Sequence, residues 1–393
     1  MKVLSKNYLY IYIVLWMIYS LQDMLMIKGI IAQLIFVFLM VFSFYSFCQI
    51  NLYYKIGPYI KWLNFLLLVI TIYGLIPIIG NDSYHKNGYA SSVVYGYVYL
   101  QKIYLSVLPV YTFIYYFKKN RISSISINFV FFFLLICTIL MYYQNFFHAT
   151  ARLDREEITN NVGYKFVPLI LMLYIVKIRM FWKYVLLVTI FSYIMMSMKR
   201  GAILVGSIAM LSFLVYHLRR ASTKQIAYFI GLSTIAIYMV YRLIMNLYTN
   251  SRHFNVRLER TLEGNSSHRD EIYRHYLDYF LGMSTPMEFF FGHGAAGTVS
   301  LFGQWAHNDW LEFAINQGLL GVMLYCVYWC VFIYEWWNYH GPREYQRALR
   351  DCIIVYFLVA IFSMSFNNMP LAATLCIGYC LAMNQRDNYK LCA

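Results

Sequence analysis

Apolar positions in this chain run together in long blocks. Stripes of the kind that pattern a soluble helix are scarce. Twelve blocks read as membrane-crossing helices, at roughly 8–27, 29–48, 59–79, 93–117, 125–147, 164–177, 183–199, 201–218, 226–247, 308–335, 351–367 and 370–385. The sixth and seventh are the shortest. About twenty apolar residues in helical form span the hydrocarbon core, and a helix satisfies its own backbone polar groups there. The pattern therefore predicts an all-α polytopic membrane protein. The first block carries no small-residue cleavage site and reads as a membrane anchor.

Between the blocks the polar residues are unevenly distributed. With the N-terminus (Lys2, Lys6) inside, the inner loops carry Lys55 and Lys61, then Lys118, Lys119 and Arg121, then Lys177, Arg179 and Lys183. Arg219, Arg220 and Lys224 follow, then Arg343, Arg347 and Arg350, and Arg386 and Lys390 end inside as well. Every strongly basic short loop falls on one side, which fits an even number of spans with both termini cytoplasmic. Three outer segments remain: Asn81 to Gly88, Ala151 to Gly163, and the long stretch from Tyr248 to Asn308. No repeat or linker divides residues 1–393, so a single membrane domain is expected.

Composition agrees with the pattern. Of the 393 residues 61% are hydrophobic and 12% charged, against roughly 25% charged in soluble domains. The net charge of +15 is dispersed over short loops, so nucleic acid is not an expected partner. The eight cysteines lie mostly inside apolar runs without nearby histidine or acidic partners. They read as small buried residues, with no metal expected.

The long outer segment, 248–308, draws attention to itself. It holds Arg252, Arg257, Arg260, Arg269 and Arg274, six acidic residues and no lysine. Guanidinium grips phosphate through paired hydrogen bonds, whereas an ammonium offers a point charge. Ser267 followed by Asp270 resembles a capping box. Ile272, Tyr273, Tyr276, Leu277, Phe280 and Leu281 then recur at helical spacing, which predicts a short amphipathic helix over about 268–281 at the outer membrane surface. Arg269 falls in its first turn, where backbone N–H groups favour an anion. Arg274 is a reserve candidate. An isolated cation, Arg200, sits in SMKRGAILVG between two spans at the outer face, and charges at membrane depth tend to be functional. Lys199 beside it reads as a snorkelling residue.

At the far end of the long segment, His307 and Asn308 stand at the mouth of the tenth span. Asn308, Glu312 and Asn316 recur every four residues, a polar stripe that must face the bundle interior or a water-filled cavity. His307 is suited to take a proton from a hydroxyl, with Asp309 and Glu312 as alternative bases. Gly292 and Gly294 suggest a tight backbone turn nearby, and Gly318 and Gly321 permit close packing.

These elements, in this order, resemble the O-antigen polymerase and O-antigen ligase superfamily of bacterial envelope glycosyltransferases. The resemblance rests on RGAIL at Arg200, an arginine opening an amphipathic helix, and HNDWLEFAINQGLLG. It covers about Ser197 to Gly321 closely; the chain departs in having His268 before the second arginine. It implies a C-type glycosyltransferase-like fold and transfer of glycan from undecaprenyl diphosphate to an acceptor hydroxyl at the outer leaflet, without metal or cofactor. By position, Arg200 and Arg269 would hold the diphosphate and His307 would act at the acceptor, with Arg274, Asn308, Asp309 and Glu312 as further substrate-binding candidates. Implied partners are the undecaprenyl-diphosphate-linked oligosaccharide, membrane lipids, and envelope-assembly proteins such as a chain-length regulator. The location would be the bacterial inner membrane, with the site facing the periplasm or exterior.

Polymerase is the favoured activity, because the aromatic-rich composition is typical of polysaccharide gene clusters. Ligation to lipid A-core is the alternative. A transporter for lipid-linked oligosaccharide fits less well, since transporters are often paired repeats around a midplane site. Here the long loop has no second copy.

Overall fold

The computed structural model describes residues 2–22, 25, 27, 29–80, 96–119, 124–150, 160–219, 221–250 and 269–384. Arg252, Arg257, Arg260, Ser267 and His268 lie outside the described residues, as do Arg386 and Lys390 and the outer segment Asn81 to Gly88. The described residues form helices and turns, with no strand among them. Among the described residues five helices are long and apolar enough to cross a membrane: Ile30–Tyr53, Pro58–Leu75, Ser126–Asn145, Arg200–Leu218 and Asp309–Trp337. Tyr8–Ser20, Gly163–Met172, Met180–Met196 and Leu371–Ala382 are shorter apolar helices.

In chain order the helices are α1 (Lys2–Ser20), α2 (Ile30–Tyr53), α3 (Pro58–Gly80), α4 (Gly96–Val107), α5 (Pro109–Lys119), α6 (Ser124–Thr150), α7 (Gly163–Met172) and α8 (Met180–Met196). Then follow α9 (Arg200–Leu218), α10 (Thr223–Asn250), α11 (Arg269–Leu281), α12 (Pro286–Phe291), α13 (Gly297–Phe302), α14 (Asp309–Trp337), α15 (Arg343–Phe362) and α16 (Leu371–Ala382). The block expected at 93–117 is two helices: α4 ends at Val107 and Pro109 opens α5. Proline lacks the N–H that a continuing helix would need, yet suits a first helical position. The block expected at 351–367 begins earlier, because Arg343, Arg347 and Arg350 already belong to α15.

The contacts divide the chain into two compact units, each assembled from two separate stretches. Residues Met1–Leu39 with Lys119–Ser267 form one, and Met40–Lys118 with His268–Ala393 the other. In the first unit α7 is central. It is buried along nearly its whole length, as befits a helix apolar on every side, and it packs on α6, α8 and α9. Phe166 stacks on Tyr193 at 5.1 Å between ring centres, and Tyr142 donates to the Met196 carbonyl at 3.1 Å.

In the second unit α14 is the organising element, packed on α3, α12, α15 and α11. Its apolar half sits in an aromatic core: Tyr59 meets Phe332 at 4.3 Å and its hydroxyl pairs with that of Tyr328 at 3.1 Å. Trp62 donates its indole N–H to the Leu324 carbonyl at 3.2 Å, whereas the buried indole N–H of Trp329 in the same core meets no acceptor among the described residues.

Candidate active site

In the first unit, the polar turn before α9 is built by Asn160 and Ser197. The Asn160 N–H donates to the Ser197 carbonyl at 3.1 Å, and its side-chain amide donates to the Tyr142 carbonyl at 2.9 Å. Gly163 is needed here, because a Cβ in its place would collide with the Ser197 hydroxyl. Met198 takes a left-handed backbone, φ 56°, an uncommon conformation for a residue with a side chain. The hairpin turn is therefore Ser197–Lys199, and Arg200 is the first residue of α9, exposed. No side chain caps this helix start.

In the second unit, α11 places Arg269, Tyr273 and Tyr276 on neighbouring stripes. Tyr276 is fully buried and Phe280 nearly so; with Ala306, Ala314 and Ile315 they form a small core. Tyr276 also stacks near Phe302 at 4.3 Å and donates to the Gln304 carbonyl at 2.9 Å. Leu277 and Leu281 remain exposed. The face expected to be uniformly apolar thus splits: residues four apart lock onto protein, and the adjacent stripe stays outside.

The stretch expected as one span at 308–335 is a helix broken at Gly318, whose backbone (φ 67°, ψ −160°) is not helical. Such a break removes the partners that the Ile315 and Asn316 carbonyls would find one turn onward. They accept instead from the His293 N–H at 2.9 Å and the Gly294 N–H at 2.8 Å. Gly292, also left-handed, packs against Gly318 so closely that a Cβ on either would lie 2.5 Å from the other segment's backbone. Burial holds the His293 imidazole below the usual histidine range, against the opposing pull of Glu288. Its ring pairs with the Tyr279 hydroxyl at 3.1 Å.

The polar stripe is buried, and its donors and acceptors are matched. Glu312 accepts from the Ala306 N–H at 2.6 Å, the Thr298 hydroxyl at 2.7 Å and the Asn316 amide at 3.3 Å. Asn316 in turn accepts from the Thr298 N–H at 3.2 Å. Asp309 accepts four times on one oxygen: from Tyr325 at 3.0 Å, the Ser365 N–H at 2.9 Å, the Ser365 hydroxyl at 2.5 Å and the Phe366 N–H at 3.1 Å. Both carboxylates therefore act as internal staples. Hydrogen bonds to a charged group contribute about 1.5–3 kcal/mol each.

Above the stripe, His307 is exposed and held left-handed at φ 53°. Such strain persists where the surroundings over-determine it, and it concentrates at functional sites. The surroundings here are specific. Tyr273 donates its hydroxyl to the His307 carbonyl at 3.0 Å and to that of Ile361 at 3.1 Å. Asn308 caps α14 by accepting from the Leu311 N–H at 3.2 Å, and its amide donates to Ile361 at 3.1 Å. Arg269, one turn before Tyr273, donates to the Phe362 carbonyl at 2.5 Å. The end of α15 thus gathers Arg269, Tyr273, His307 and Asn308 in one cluster, and a cation is favoured at that negative helix end.

Arg274 is exposed and lies about 140° around α11 from Arg269, outside this cluster. Among the described residues no group of histidine, cysteine or acidic side chains could hold a metal ion. Tyr273 entered the sequence reading only as part of a helix face, and Thr298 and Lys102 did not enter it. Tyr273 stood four residues after Arg269, a usable signal. Lys102, whose ammonium lies 4.7 Å from the Trp305 ring centre, stood as a lone charge within an apolar block. Thr298 left no signal, because only the fold brings it to Glu312.

The class that follows is a helical membrane protein. A family model described as O-antigen ligase matches residues 185–326, a stretch that includes Arg200, Arg269 and His307. The match supports the O-antigen ligase and polymerase superfamily, and with it a glycosyltransferase-like membrane enzyme. No curated protein matches the chain.

Proposed function

We propose that this chain transfers glycan from an undecaprenyl-diphosphate-linked donor to a sugar hydroxyl of a lipid-linked repeat unit, as a polysaccharide polymerase. The observation that carries the reading is the exposed, left-handed His307 pinned beside Arg269 within the family match. His307 takes the proton of the acceptor hydroxyl. The oxygen attacks the anomeric carbon opposite the diphosphate, the carbon–oxygen bond to the diphosphate breaks, and the configuration inverts. Arg200 and Arg269 neutralise the charge that develops on the leaving diphosphate. Asp309 and Glu312 position the mouth of α14, and Asn308 holds its first turn. The second reading is ligation to lipid A-core, and the match to a model described as O-antigen ligase is compatible with either.

The test is transfer in detergent from a synthetic lipid-diphosphate donor to each acceptor class. Growth of lipid-linked glycan supports polymerase, and glycan on lipid A-core supports ligase. Lipid flipping without transfer overturns both. We also propose that the site faces the periplasm or exterior of the inner membrane, with both termini cytoplasmic. In intact cells or after outer-membrane permeabilisation, Asn265→Cys should react with an impermeant thiol reagent; labelling only after lysis contradicts this orientation.

A further inference from the structure

Helix α4 carries one charge in its sequence GYVYLQKIYLSV, at Lys102. A charged residue within an apolar membrane block is costly and usually marks function. The bland alternative is a lysine that reaches along the lipid face toward the headgroups. The contacts of α4 argue otherwise. Tyr99 accepts from the Gln317 side chain at 3.3 Å, and Ser106 accepts from the Met369 N–H at 3.0 Å. Tyr99, Lys102 and Ser106 recur at helical spacing on one face, so Lys102 lies on the face that α4 turns toward α14 and the segment after α15.

The Lys102 ammonium lies 4.7 Å from the ring centre of Trp305, two residues before His307. The same segment is fastened to the polar stripe, because the Ala306 N–H donates to Glu312. The position of the ammonium relative to the histidine loop is thus set by the fold. An aromatic face attracts the charge but accepts no conventional hydrogen bond from its three N–H groups. Among the described residues the charge meets the Trp305 ring and, at longer range, Glu312; Lys102 itself is exposed. A fixed cation with open donors at the mouth of a polar site fits an anion on the substrate.

We propose that Lys102, steadied by Trp305, is a third substrate-binding cation that contacts a diphosphate group of a lipid-linked substrate beside His307. The inference rests on the glycosyl-transfer reading. In a polymerase both donor and acceptor carry a lipid diphosphate, so the shared headgroup chemistry is what Lys102 recognises.

The test uses the purified full chain in detergent and a sugar-free short-chain polyprenyl diphosphate as the probe. Lys102→Met should weaken probe binding about tenfold, the equivalent of one charge-assisted contact, and should flatten its dependence on salt. Lys102→Arg should stay within about threefold of wild type, since the charge is kept. Where Lys102→Met gives little folded protein, Lys102→Gln is measured in its place. Separate titrations of donor and acceptor in the transfer assay show which lipid Lys102 holds, through the KM that rises. Unchanged probe binding and unchanged KM values in a folded Lys102→Met protein overturn the inference and leave the glycosyl-transfer reading standing. Failure of the wild-type chain to bind the probe overturns both.

Discussion

Helices α9 and α14 begin in the same way and end up prepared for different work. In each, a left-handed non-glycine residue stands two positions before the helix: Met198 (φ 56°) before Arg200, and His307 (φ 53°) before Asp309. The residue between them differs. Lys199 provides no side-chain cap, and Arg200 is exposed. Asn308 caps the Leu311 N–H, and Asp309 is buried under four hydrogen bonds. An uncapped helix start leaves backbone donors and dipole available to an anion. A capped and stapled start instead provides a rigid ledge, on which His307 is the exposed group. In the proposed mechanism the first turn binds charge and the second supports proton transfer. The backbone device is shared, and capping chemistry decides between them.

The largest expected effect falls on the ledge. His307→Ala should lower transfer by roughly a hundredfold to ten-thousandfold, the range for a lost general base, while polyprenyl diphosphate still binds through the arginines. Near-normal turnover in single-turnover kinetics would remove His307 from the chemistry. Loss of probe binding would move it to the diphosphate.

The second contrast lies within the helices themselves. α9 runs unbroken past Gly206, where an added Cβ meets side chains and no backbone: Ile194 at 3.0 and 3.2 Å and Val167 at 3.8 Å. α14 breaks at Gly318, where a Cβ meets the Phe290 backbone at 2.5 Å in a left-handed conformation. Gly318→Ala should therefore destabilise by about 3 kcal/mol or more, from strain plus overpacking, and Gly206→Ala by less than about 1 kcal/mol. Thermal unfolding in detergent checks both; equal midpoints would mean that the break is not the constraint described.

Arg200→Lys tests the open turn. It keeps the charge and loses the planar fork, so transfer should fall about tenfold to a hundredfold, in proportion to one or two charge-assisted bonds. Wild-type rates would take Arg200 out of the diphosphate site.

The smallest effect concerns the caps. Asn308→Ala should cost about 1 kcal/mol through loss of the cap, whereas Lys199→Ala should stay within about 0.5 kcal/mol. Equal unfolding midpoints for the two variants would erase the difference between the helix starts.

The sequence by itself determined the apolar, helical character of the chain, the helix over Arg269–Leu281 and the polar stripe Asn308, Glu312 and Asn316. Each is a local periodicity, and periodicity survives in one dimension. It also singled out His307, because a polar residue at the mouth of an apolar run is conspicuous without any fold. Only the tertiary structure decided which polar groups are consumed as scaffold. Asp309 is tied to Ser365 and Phe366, more than fifty residues away. Thr298 reaches Glu312 only because the helix breaks at Gly318 and the Gly292 turn packs into the gap. Lys102 meets Trp305 across some two hundred residues of chain. Burial and hydrogen bonding depend on distance in space, and that distance is set by packing between segments that no local pattern relates.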